Sequence, residues 1–304
     1  MADISYKNVN DNTPVFVGSA QLTDKRGIEG YNYLEILTEV SKKALADCEA
    51  KDNFKKDIDT VAVIRFVADT PQRDSATSNL WGYPNMPRSL AQSLGFEASN
   101  EIYTTTGGNS PQIAVNELAN RIKDNEIDCA LLAGGEALDT FVTRLKDGLE
   151  VNWSDDPGGK PEIIGKSTDG TNDHEKIHGI FNPSSVYPLF ANALRGLNNQ
   201  SVEEHMQDTG ELFESFSKVA SKNKYSWFPV HRSANEISEV KPENRMIGLP
   251  YTKYMNSIMR VNQSSAIIMM SAKKARELSV PESKWIFMYS GACLNDIWNV
   301  SDRI

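Results

Sequence analysis

Between residues 101 and 133 a β-rich run, a glycine-bearing turn, an amphipathic segment and an apolar run follow one another. Few folds accommodate that order. EIYTTT (101–106) has the aromatic and β-branched residues of a strand. Residues 110–123 place Ile113, Leu118, Ala119 and Ile122 on one helical face. IDCALLA (127–133) is apolar beyond Asp128, as a strand covered on both faces must be. A strand, a helix of a dozen or more residues and another strand make a βαβ unit and a parallel sheet. The same alternation is legible upstream. PVFVGSAQL (14–22) reads as a strand ended by Thr23-Asp24, and 32–50 as a helix carrying Leu34, Leu37, Val40, Ala44 and Leu45. DTVAVIRFVA (59–68) reads as a buried strand, and 88–94 as a short helix closed by Gly95.

After Gly135 the texture changes. Residues 138–255 are polar and rich in Asn, Ser, Asp and Pro, with helices expected at 186–196 and 201–223. The sheet pattern resumes with SAIIMMS (265–271), a helix at 272–278 and a strand at 284–290. This divides the chain into a core (1–137), an inserted, mostly helical loop domain (138–255), and a return to the core (256–304). VFVGSAQL (15–22) is echoed by IFMYSGACL (286–294). If the last strand restarts the opening motif, the chain holds one half of a two-half protein and begins the next.

Composition narrows the function classes. A length of 304 residues is enough for a real core. A net charge of -9 argues against nucleic acid, which needs a basic face. No apolar run approaches the roughly 20 residues of a membrane helix, and MADISYKNVNDNT lacks the pattern of a secretory signal. Cys48, Cys129 and Cys293 are too few and too scattered for a disulfide framework. A cytoplasmic protein is the expectation.

Four places could carry chemistry. TTTGGNSPQ (104–112) joins a strand to a helix start, with Pro111 suited to the first turn and Asn109 or Ser110 to the cap. Gly107, Gly108, Asn109 and Ser110 would present free N–H groups at the positive end of a helix dipole, where an anion or oxyanion can sit. A plain strand–helix connection explains the turn equally well. Ser110 lacks the G-x-S-x-G elbow of a nucleophile and reads as a helix cap. AGGEA (133–137) ends the second apolar strand, and its glycines permit close approach of a ligand or of a neighbouring strand. No dinucleotide fingerprint follows any expected strand. His174-Glu175-Lys176-Ile177-His178 matches the zinc-protease signature H-E-x-x-H, but Gly179 and Asn182-Pro183 leave it less than two helical turns, so no metal is expected. Cys129 reads as a small hydrophobe inside a strand, nothing near Cys48 would lower its pKa, and Cys293 lacks a partner. Trp227, Phe228, Trp285 and Trp298 read as core or lid packing.

The stretch NEIYTTTGGNSPQIAVNELANRIKDNEIDCALLAGGEA (100–137) resembles the core of the thiolase superfamily. There a strand leads to a catalytic cysteine at a helix start, and a later strand ends in A-G-G-x-E. VNQSSAIIMMSAKKARELSV (261–280) resembles the N-D-G-A-A-A stretch and the helix after it. TTTGGNSPQ (104–112), YPLFANALR (187–195) and PYTKYMN (250–256) resemble motifs of bacterial acetyl-CoA acetyltransferase-like proteins related to sterol-carrier-protein thiolases, and 285–303 matches them as well. The resemblance implies an α/β fold, a mixed, mostly parallel sheet with covering helices and an inserted helical loop domain. It implies a coenzyme A thioester as ligand, no covalently bound cofactor, a role in lipid or sterol metabolism, and a homodimer. It also places Gly108 where the family keeps its nucleophilic cysteine, and Asn262-Gln263 where the family has D-G. The family's G-H-P histidine and C-x-G cysteine would lie beyond residue 304. Without a thiol to carry the acyl group, cysteine-dependent thiolase chemistry is not expected. The resemblance leaves two alternatives, an acyl-CoA-handling acyltransferase relative and a non-catalytic CoA-ester-binding or scaffold protein.

Overall fold

The computed structural model describes residues 6–51, 54–70 and 81–303. Its elements run in order β1 (Pro14–Thr23), α1 (Tyr33–Asp47), β2 (Thr60–Val63), β3 (Trp81–Gly82), α2 (Met86–Leu94), β4 (Asn100–Thr104) and α3 (Ser110–Lys123). β5 (Cys129–Ala137), α4 (Leu138–Lys146), β6 (Trp153–Ser154), β7 (Glu162–Ile164), α5 (Asp173–Ile177), α6 (Pro183–Leu197) and α7 (Val202–Ala220) follow. The chain ends with α8 (Ala234–Ser238), β8 (Met246–Gly248), β9 (Tyr251–Thr252), β10 (Asn262–Ser271), α9 (Ala272–Glu277) and β11 (Ile286–Phe287). They form two compact units, Met1–Ser167 with Arg260–Cys293, and Thr168–Met259 with Leu294–Ile304.

The first unit is built on a seven-stranded sheet in the order β11-β1-β10-β5-β2-β4-β7. β2 pairs in parallel with β4 and β5, β4 with β7, and β10 runs antiparallel to both β1 and β5. Five strands (β1, β2, β4, β5 and β7) therefore point one way, as the alternating pattern predicts, and β10 and β11 reverse. Side chains alternate between two cores. Val61, Val63, Cys129, Leu131 and Ala133 face α1 and α2, while Ala62, Ala130 and Leu132 face α3 through Ala114, Leu118 and Ile122. All four residues of β2 are buried, which explains an apolar run without polar alternation.

Helix ends follow local chemistry. Asn32 and Glu35 form a capping box at α1, and Gly95 adopts φ 79° to close α2. The expected strand 59–68 stops at Val63, because the chain leaves the ladder there to build a short turn at Val67–Asp69. The expected strand 284–290 contracts to Ile286–Phe287, which pairs with Phe16 and Val15. The two echoing segments are thus sheet neighbours.

The glycines of AGGEA serve strand packing. A Cβ on Gly134 would stand 2.9 Å from Cβ of Ile64, and one on Gly135 would stand 2.6 Å from Cβ of Ser264 and 2.8 Å from the Gln263 carbonyl. Bare backbone is what lets β10 and the end of β2 flank β5 closely.

In the second unit four helices carry capping boxes: Asn172/Glu175, Asn182/Ser185, Ser201/Glu204 and Ser233/Glu236. Buried Asn244 donates to the Glu236, Ile237 and Glu239 carbonyls and accepts from the Tyr254 N–H, tying α8 to the segment after β9. No helix among the described residues is long and apolar enough to cross a membrane.

Gly135→Ala should lower stability in urea denaturation by about 1–3 kcal/mol, the usual size of overpacking. Gly108→Ala, where a Cβ meets nothing within 4 Å, should stay within about 0.5 kcal/mol of the parent.

Candidate functional site

The turn between β4 and α3 lies at the carboxyl edge of the parallel strands, where open α/β sheets receive ligands. Thr105 continues the ladder, its N–H donating to the Ile164 carbonyl at 2.8 Å. Gly107 is half-buried, Gly108 and Asn109 are exposed, and Ser110 is 3% exposed. Asn109 takes the N-cap position without a side-chain capping bond, and Pro111 occupies the first turn of α3. Ser110 Oγ donates to the Thr105 carbonyl at 2.7 Å, so its hydroxyl is committed to bracing the turn. The Gly108 and Asn109 N–H groups donate to no acceptor among the described residues. Exposed donors at the start of a helix suit an anionic or oxyanionic group. None of the three cavities described on the first unit is lined by residues 107–110.

Beside this turn, at the carboxyl ends of β2, β4 and β5, the structure assembles a polar cluster that sequence patterning does not single out. Arg65 donates from Nε to the Thr104 carbonyl at 3.0 Å and from Nη1 to Asp69 Oδ2 at 3.0 Å, and its guanidinium stacks 3.7 Å over the Tyr103 ring. Tyr103 donates its hydroxyl to the same Asp69 oxygen at 2.7 Å. Glu136, the acid of AGGEA, accepts from the Val67 N–H at 2.7 Å and from the Tyr33 hydroxyl at 3.2 Å. Thr70 and Thr106 share a hydroxyl hydrogen bond of 2.9 Å. Burial pushes the Asp69 carboxyl above its ordinary value, although Tyr103 and Arg65 pull it down. Tyr103 and Tyr33 are held far above the usual phenol range, by burial first and then by the carboxylates they face. These tyrosines act as permanent donors. The legible signal was Glu136 at a strand end; Asp69 and Arg65 sit in a loop without a motif.

The remaining sequence candidates fall elsewhere. Cys129 and Cys48 are buried, and burial raises the Cys48 thiol to about 12 and Cys129 well above its ordinary value. Cys293 is exposed. His174 lies in the five-residue helix α5 and His178 is its C-cap, with the two rings 4.8 Å apart. Glu175 does not face them as a base would, because its carboxylate caps the helix through the Asn172 N–H and accepts from the Ser301 N–H. No group of three or more His, Cys, Asp or Glu suited to a metal occurs among the described residues. Asn262, in place of the family's acid, is fully buried; it donates to the Asp24 carbonyl and Thr140 Oγ1 and accepts from the Thr140 N–H. Trp285 packs in the core, Trp227 is half-buried, and Phe228 (54% exposed) and Trp298 (49% exposed) lie outside the core.

This fold is thiolase-like. A monomeric SCP2-thiolase like protein type 1 from Mycobacterium smegmatis superimposes with a TM-score of 0.70 at 33% identity, over 92% of this chain and 50% of that one. The dimeric peroxisomal thiolase of Saccharomyces cerevisiae superimposes with a TM-score of 0.56 at 15% identity, over 91% of this chain and 68% of that one, a likeness of fold alone. The chain thus spans half the length of the mycobacterial protein, and the likeness supports the thiolase superfamily. No protein-family model and no curated protein matches the chain.

The cluster makes a pH-dependent prediction. Because the folded-state pKa of Asp69 is raised, its titration favours folding at pH below the ordinary carboxylate range, and that contribution is lost as pH rises through the raised value. Tyr103→Phe removes the donor that eases ionisation. Urea denaturation should show a loss of about 1–3 kcal/mol at neutral pH, shrinking once Asp69 is protonated.

Proposed function

We propose that this chain is an acyl-CoA-handling protein of the thiolase superfamily, related to acetyl-CoA acetyltransferases of lipid or sterol metabolism, that lacks the cysteine nucleophile. The observation that carries the reading is the turn Gly107–Ser110 at the start of α3, where the exposed Gly108 and Asn109 have N–H donors unpaired among the described residues. Those donors suit a thioester carbonyl, whose oxygen gains negative charge when the carbon is attacked. Gly108 supplies no attacking atom, and Ser110 is buried and occupied. This favours a second reading beside the first, in which the chain binds a CoA ester without turning it over. The homodimer belongs to the same proposal. Of the two neighbours, one is described as monomeric and the other as dimeric.

Gly108 offers a direct test. A Cβ there meets nothing within 4 Å, so Gly108→Cys installs a thiol at a helix start with little steric cost, and the helix dipole lowers its pKa. Incubation with acetyl-CoA followed by intact-mass spectrometry should show no adduct on the parent and an added acetyl group on the variant. An acetyl group on the parent chain restores covalent catalysis by some other residue. Failure of the variant to acylate, with its fold intact, removes the thioester reading of the turn.

A further inference from the structure

A second site stands on the opposite face of the sheet, beyond the carboxyl ends of β1 and β5. There α1, α4 and the loop after β1 enclose an open cleft of about 680 Å3. Two of its three cations are already matched. Arg26 grips Asp24 through two hydrogen bonds of 2.8 and 2.9 Å, and Lys42 pairs with Glu39 at 2.7 Å. Glu35 is held in the α1 capping box, and Glu29 and Glu35 are exposed to water.

Arg144 is the exception. Its Nη1 donates to the Ile28 carbonyl at 3.3 Å and its Nη2 to the Glu150 carbonyl at 3.2 Å. Its Nε is buried and has no acceptor. No ion pair to Arg144 exists among the described residues. A guanidinium has five N–H donors, so two of the five are used and three are free. Two carbonyls fix the plane of the group without neutralising it. Around it the cleft is lined by Leu34, Tyr31 and Trp153, whose apolar surfaces can cover an organic body.

We infer that this cleft binds a small organic monoacid, with Arg144 receiving its carboxylate. The one cation of the cleft without an ion pair is Arg144, and its planar fork of N–H donors matches a planar carboxylate. The rim acids Glu29 and Glu35 disfavour a doubly charged phosphate. The site is independent of the thioester turn and stands or falls apart from it.

Benzoate is the probe, with benzamide as its neutral counterpart and inorganic phosphate as a second anion, titrated against the whole chain while Trp153 emission and heat are followed. Benzoate should saturate, benzamide should bind at least about tenfold more weakly, and Arg144→Gln should lose about as much, the scale of one charge-assisted contact. Ser93→Phe, at an exposed position lining the cleft, should weaken benzoate by narrowing it and keeps the test alive should the arginine variant misfold. Equal binding of benzoate and benzamide, unchanged affinity in a folded Arg144→Gln, or no saturation by benzoate would each overturn the proposal. Tighter binding of phosphate than of benzoate overturns the assignment to a carboxylate.

Discussion

The structure depends on how closely β10 and the end of β2 approach β5. β5 is the middle of the sheet, buried on both sides, and it carries neighbours of opposite direction: β2 parallel and β10 antiparallel. At its end the two glycines remove the side chains that would hold Ile64 and Ser264 away. This contact lets Glu136 reach back to the Val67 N–H and Tyr33, which anchors the loop after β2. That loop in turn delivers Asp69 to Tyr103 and Arg65 beside the β4–α3 turn. Geometry at the sheet centre thus propagates to the candidate site through a chain of buried hydrogen bonds.

The candidate site divides labour between backbone and side chains. The turn itself offers only amide donors, since Ser110 is spent on Thr105. The side chains that could titrate lie behind it, and their environment holds the tyrosines protonated and disfavours charge on Asp69. None of the three cysteines, all of them described, lies at the turn. Gly108, exposed and uncrowded, has room for a side chain there.

Much of the fold was legible because its signals are local. The alternation of apolar runs with amphipathic helices fixed α1, α3, β1, β5 and β10 to within a few residues. Gly95 and Pro111 marked helix ends by mechanisms that need no tertiary context. What escaped was set by long-range contact. Nothing in residues 59–68 announces that the strand ends at Val63, because the turn there is held by Glu136, some seventy residues later. The Arg65–Asp69–Tyr103 cluster was invisible for the same reason. In 284–290 only Ile286 and Phe287 join the sheet, since pairing to β1 decides the length and apolar content does not.

The pairing of β1 with β10 joins Thr23 to Gln263 and Pro14 to Ser271, the first strand of the sheet to nearly the last. During synthesis β1 therefore leaves the ribosome long before its partner exists. About 250 further residues must be added, which at roughly 5–20 residues per second leaves it without that partner for tens of seconds. Over that interval α1, which packs on β1 and follows it directly, is the element available to shield Val15 and Val17. A nascent chain stalled before residue 262 would hold β1 with neither β10 nor β11 beside it, both edges of the strand open to whatever else can bind them.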